Sequence, residues 1–116
     1  MLDIQTLERD GVTIVKLKGR LDSETSQAAD ARLQPVQTQA TASWVLDLTD
    51  VTFVSSAGIR VVLTAAKLCR SHGGELYLAG LSPQVMQVFR ISGLLGFLHV
   101  SDTPDAAAAA IVAARG

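Results

Sequence analysis

The chain has 116 residues, 48% of them apolar and 18% charged, with ten basic side chains against eleven acidic ones. That length suits one domain over 1–116 with a single core, and the composition excludes a disordered chain. No basic cluster is present, so the chain lacks the means to neutralise a row of phosphates, which argues against nucleic acid and against a membrane surface as partner.

MLDIQTLERD has neither the basic start nor the apolar run of a signal peptide. IQTLERDG and VTIVKLKG read as two strands joined through Asp10-Gly11, a hairpin signal, with the second strand ending at Gly19. LDSETSQAADARLQ reads as a helix with Asp22 and Ser23 as N-caps, ended or kinked by Pro35. SWVLDL is a short apolar run of the kind buried on both faces of a sheet, and Thr52 to Val54 is a further apolar stretch that stops at Ser55-Ser56.

After the serines, Ile59, Val62, Leu63, Ala66 and Cys69 or Arg70 keep the spacing of one helix face, with Arg60, Thr64, Lys67 and Ser71 opposite. Gly73-Gly74 stops this helix. ELYLAG is the next strand. Ser82-Pro83 opens another helix, which Gly93 closes. GFLHV reads as a last strand, and Thr103-Pro104-Asp105 starts an alanine-rich helix whose end is expected to fray. Strands alternating with helices predict an α/β fold: a mixed sheet of four to five strands, SWVLDL central, with about four helices packed against it. No stretch reaches the roughly 20 apolar residues of a spanning helix. Cys69 has no cysteine to pair with, and as a small hydrophobe it belongs in the core. A reducing compartment follows, most simply the cytoplasm.

The two serines at the turn from strand to helix invite three readings. A nucleophile elbow would need glycine at both flanking positions, and only Gly58 matches. It would also need a base, but His72 lies at the far end of the same helix, more than about 20 Å away, and His99 sits in the last strand, where a lone histidine is usually structural. Hydrolysis is therefore disfavoured. A metal site is disfavoured because one cysteine and two separated histidines give no ligand pair. A nucleotide site is disfavoured because GGELYLAG is neither G-x-G-x-x-G nor a P-loop. The second reading is capping: one serine satisfies the first N–H groups of the helix. The third is modification, because the other hydroxyl would sit in the first turn near solvent, where a phosphoryl group is electrostatically tolerated.

Three segments in order resemble the STAS domains of bacterial anti-sigma factor antagonists, and the likeness covers nearly the whole chain. VTFVSSAGIRVVL resembles the family signature F-[MI]-D-S-[ST]-G-L-G. LKGRLDSETS resembles the G-x-L-D stretch before the first helix. GGELYLAGLSPQVMQVFRISGLLGFLHV resembles the segment from G-G through S-P to S-G-L. The resemblance makes Ser56 the phosphoacceptor, with Gly58 as the signature glycine, Ala57 as the small residue between them and Asp22 as the acidic residue of the nearby loop. Two departures stand out. Ser55 replaces the aspartate before the acceptor and is a possible second acceptor. Arg60 replaces a frequent glycine and adds a positive charge one turn on.

The resemblance implies a binding protein and no enzyme, with no cofactor and no metal. Its unphosphorylated form would bind an anti-sigma factor that is also a serine-protein kinase, through a patch of Asp22, Ser23, Ser55, Ala57, Gly58, Arg60 and Thr64. Phosphorylation would release it, and a metal-dependent serine phosphatase would reset it. Relatives of this kind also drive other outputs, such as secretion or biofilm control, or act as scaffold and transporter modules. The absence of a spanning segment favours a free-standing antagonist.

Overall fold

The structure is a computed structural model, which describes residues 2–39 and 43–115 and the side chains of these except 35–39 and 97. Two strands open it, β1 (Leu2–Arg9) and β2 (Val12–Leu21), paired antiparallel across the predicted turn. Asp10 and Gly11 have φ of 53° and 78°, the left-handed pair of a tight hairpin turn. The chain continues through α1 (Ser26–Gln39), β3 (Trp44–Val54), α2 (Ser56–Ser71), β4 (Leu76–Ala79), α3 (Pro83–Ser92), β5 (His99–Ser101) and α4 (Pro104–Ala114). The strands lie in the order β1-β2-β3-β4-β5, and β2 to β5 are parallel. The strand that begins with SWVLDL is central, as predicted.

The sheet has two unequal sides. Val15, Leu17, Trp44, Leu46, Leu48, Leu76 and Leu78 face the main core, closed by Ala29 and Leu33 of α1, the apolar stripe of α2, and Val85 and Phe89 of α3. Successive parallel strands joined by right-handed crossovers put all three helices on one face. Among the described residues the other face is covered by α4, where Ala107, Ala108 and Ile111 pack on Val12, Ile14, Val45, Tyr77 and Ala79. Small alanines bring this helix close to the sheet. No helix among the described residues is long and apolar enough to cross a membrane.

Four expectations need correction. β2 does not end at Gly19 but runs on to Leu21, because Gly19 adopts φ 116° where the pairing with β3 shifts. Of the two readings of Pro35, the ending is overturned, since α1 continues past it to Gln39. One lost backbone donor is a local cost, and the buried anchors Ala29 and Leu33 lie upstream of it. The stripe of α2 is centred one position away from the expected one: Val61, Val62, Ala65, Ala66 and Cys69 are buried, while Ile59 and Leu63 are half-buried. Finally, GFLHV is a strand only over His99–Ser101, since Leu94–Phe97 form a short 3₁₀ turn. The predicted fraying of the last helix concerns an end that includes Gly116, which lies outside the described residues.

Cys69 is in the core, as expected, 3% exposed. Burial, followed by the Glu75 carboxylate, pushes its thiol up to about 11 against the opposing pull of a hydrogen bond with Trp44. The reactive thiolate is therefore scarce at neutral pH. Native protein at pH 8 is expected to react with a disulfide reagent at least 100-fold more slowly than the same protein in denaturant. Equal rates would place Cys69 at the surface.

Candidate functional site

The site forms where β3 hands the chain to α2. β3 carries two register shifts against β2, so that Lys16 pairs with Asp47 but Lys18 with Asp50, and Gly19 pairs with Val51 but Arg20 with Phe53. Each shift inserts one extra residue in β3. The insertions keep Leu48, Val51 and Val54 all on the core side, three apart instead of two. They leave Thr52 and Phe53 exposed and aim the chain so that Ser55 leaves the sheet at its C-terminal edge.

The two serines then divide. Ser55 is the N-cap, with extended backbone (φ −95°, ψ 179°) and an Oγ that accepts from the Gly58 N–H at 3.4 Å. Its own N–H donates to the Leu21 carbonyl at 3.0 Å. Ser56 is the first residue of the helix, and it is exposed. No acidic residue stands in the first turn of α2.

The Leu21 carbonyl ties this junction to the loop after β2. Gly58 lies directly against it: a Cβ there would fall 2.4 Å from the Leu21 oxygen, 2.9 Å from Leu21 Cγ and 3.0 Å from Val54 Cγ1. The glycine is thus required by close approach and not by backbone freedom. The next residue, Asp22, is half-buried, with 17% of its side chain exposed. Its Oδ1 accepts from the N–H groups of Glu24 (3.0 Å) and Thr25 (3.2 Å), and its carbonyl accepts from the Ser26 N–H (2.8 Å). Asp22 therefore caps the turn that leads into α1. Ser23, expected to share that task, does not cap; it is exposed beside it. Thr25 closes the loop, its N–H and hydroxyl tied to Asp22 and its hydroxyl also donating to the Arg20 carbonyl at 2.8 Å.

Burial raises the Asp22 carboxyl, but the Arg20 guanidinium and the Glu24 and Thr25 donors outweigh it and hold it below the usual aspartate value of 3.8. Arg20 Nε lies 3.2 Å from Asp22 Oδ2, and its guanidinium carbon sits 4.4 Å from the centre of the Phe53 ring. Phe53 is 40% exposed. The sequence alone did not mark Arg20 and Phe53. The lone aromatic just before the serines was a signal, but its partner follows only from the strand register.

The loop holding Asp22 and Ser23 thus meets the start of α2, where Ser55, Ser56, Ala57 and Gly58 lie, with Arg60 and Thr64 exposed on the next turns. Gly58 itself is buried and Ala57 half-buried, so these two shape the surface more than they present it. Thr64 returns its hydroxyl to the Arg60 carbonyl at 3.0 Å.

The STAS domain model matches residues 3–107, and the chain belongs to that family. Among its relatives is BtrV of Bordetella bronchiseptica, named provisionally as an anti-sigma factor antagonist, which is 42% identical over 101 residues, 87% of each chain. Among solved structures, an anti-sigma factor antagonist from Mycobacterium paratuberculosis superposes with a TM-score of 0.87 at 22% identity, covering 95% of this chain and 93% of that one. The Bacillus cell fate determinant SpoIIAA in its phosphorylated form gives a TM-score of 0.68 at 22% identity, covering 90% and 96%. At these identities the two structures speak for the fold.

Gly58→Ala tests the junction. Alanine favours a helix over glycine by about 1 kcal/mol, but a contact of 2.4 Å with a backbone oxygen forces the loop or the helix to move, at about 1–3 kcal/mol. The second effect is expected to win, with a net loss of about 1 kcal/mol in denaturant unfolding; a stabilised variant would show that the loop does not press on the helix. Asp22 supplies a pH test. Its folded pKa is depressed, so its contribution is complete above the unfolded value and is lost as pH falls through the lower, folded value. An NMR titration of its carboxyl carbon is expected to show a midpoint below 3.8. A midpoint above that value would mean that Arg20 and the loop N–H groups do not hold it.

Proposed function

We propose that this protein is an anti-sigma factor antagonist that works as a phosphorylation-controlled partner switch. The unphosphorylated form binds an anti-sigma factor that is also a serine-protein kinase, through Asp22, Ser23, Ser55, Ser56, Arg60 and Thr64, over a floor shaped by Ala57 and Gly58. Phosphorylation of Ser56 releases it, and a metal-dependent serine phosphatase resets it. The names of its relatives support the role.

One observation carries the choice of residue: the two serines are chemically unlike. Ser55 is half-buried and its hydroxyl is engaged as a cap, whereas Ser56 is exposed at the first helical position. In the transfer, Ser56 Oγ attacks the γ-phosphorus of ATP. The new O–P bond forms as the bond to the ADP oxygen breaks, and the hydroxyl proton leaves to a base on the kinase. The product adds about −1.5 to −2 charges beside solvent, so the domain itself barely changes. The cost falls at the interface, where an unpaired buried charge costs several kcal/mol. About 3 kcal/mol would weaken binding by roughly two orders of magnitude. The domain carries out no catalysis of its own, and its place is the cytoplasm.

With the cognate kinase and ATP, mass spectrometry is expected to find one phosphate, on Ser56. Ser56→Ala is expected to bind permanently, Ser56→Asp to bind at least tenfold more weakly, and Arg60→Glu to lose affinity without unfolding. A phosphate on Ser55 alone, or tight binding by Ser56→Asp, would overturn the switch.

A further inference from the structure

Arg60 occupies an unusual position among the arginines. Arg9 and Asp105 pair, Arg20 pairs with Asp22, and Arg70 pairs with Glu75. Arg32 donates to the Ile4 carbonyl, Arg90 to Gln87 and Arg115 to the Gly11 carbonyl. Arg60 alone has a side chain with no hydrogen bond or ion pair among the described residues, and it is exposed.

Its helical neighbours explain why. Residues three and four positions away share its surface, and these are Ser56, Ala57, Leu63 and Thr64. None is acidic, and the first turn of α2 has no carboxylate at all. Of the two hydroxyls among these neighbours, that of Thr64 is engaged with the Arg60 carbonyl at 3.0 Å, whereas Ser56 lies exposed at the helix start, where a negative charge can be created. The geometry suits it. Helical side chains lean toward the N-terminus, over the turn before their own Cα. Arg60 thus leans toward Ser56, with the two Cβ atoms about 5–6 Å apart. An anion four residues before a cation is also the favoured order for such a pair. The other nearby guanidinium, Arg20, is already held by Asp22 and by the Phe53 ring.

We propose that Arg60 is the intramolecular receiver of the phosphoryl group on Ser56, so that modification adds a dianion to the docking face and withdraws a free cation from it. The partner would then present an acidic side chain opposite Arg60, and phosphorylation would strip that group of its counter-charge. This inference rests on Ser56 being the acceptor, but its test does not need the kinase.

Phosphoserine is installed at position 56 of the full chain by genetic encoding, and the second ionisation of the phosphate, normally near pH 6, is followed by phosphorus NMR. The native side chain at Arg60 is expected to hold this ionisation roughly 0.2–0.4 pH unit lower than in Arg60→Gln, the size of one such helical pair. Both forms keep the same helix N-terminus, so the difference isolates the guanidinium. Lys67→Gln is the control. Lys67 lies on the same helix about 16 Å further along, beyond the screening length of about 8 Å, and its loss is expected to leave the ionisation unchanged. Equal ionisation in the native and Arg60→Gln proteins would overturn the proposal, as would equal shifts from Arg60→Gln and Lys67→Gln. A kinase that modified only Ser55 would sink the switch and leave this titration untouched.

Discussion

The end of the sheet that carries the candidate site hangs on one carbonyl oxygen. The Leu21 oxygen accepts the Ser55 N–H at 3.0 Å, and Gly58 is pressed against the same atom with no room for a side chain. That contact joins two loops far apart in sequence: one that leads into α1 and one that leads into α2. It continues the pairing of Leu21 with Val54, which already sets the exits of β2 and β3 side by side and so brings Asp22 and Ser56 to one end of the sheet. Ser55 is used twice there, its backbone as donor to Leu21 and its hydroxyl as cap for Gly58. Ser56, next along the chain, is exposed at the first helical position and does not serve as the cap.

The strand behind the junction is built to deliver it. A regular strand from Trp44 would alternate its side chains every second residue. The two insertions in β3 break that alternation, keep Leu48, Val51 and Val54 in the core, and add twist near the exit. The same irregularity exposes Phe53 beside Arg20. The core that resists this distortion lies behind it, in Trp44, Leu46, Leu76 and Phe89, all fully buried or nearly so.

Charge around the junction is sorted rather than spread. Arg20 is held by Asp22 and by an aromatic face, which fixes the loop after β2. Arg60 stands one turn into α2 with no carboxylate within helical reach. Where the family signature has an aspartate this chain has Ser55, so the start of α2 carries no negative charge of its own. A phosphoryl group on Ser56 would therefore be the first anion in that turn, and under the proposed switch that one charge would change the character of the whole face.

Much of this was legible in the chain. The Asp10-Gly11 turn, the Ser82-Pro83 and Thr103-Pro104 helix starts, the Gly93 stop and the exposed polar face of α2 are local. Each depends on the backbone preference or the capping hydroxyl of a few adjacent residues, and such preferences survive folding unchanged. The three ordered segments that resemble STAS domains marked Ser56, Gly58 and Asp22 for the same reason: they are short stretches. What folding decided was non-local. Gly19 looked like a strand end because one residue cannot announce a bulge that exists only against β3. SWVLDL and the stretch ending at Val54 looked like two pieces because three-residue spacing reads as a break, when pairing with β2 makes them one strand. Gly58 could be recognised but not explained, since the oxygen that excludes its side chain comes from Leu21, a residue brought there by the sheet. The pairing of Arg20 with Phe53 was likewise invisible until register set them side by side. Local chemistry is written in neighbouring residues, whereas contacts between distant strands and loops exist only once the chain has closed upon itself.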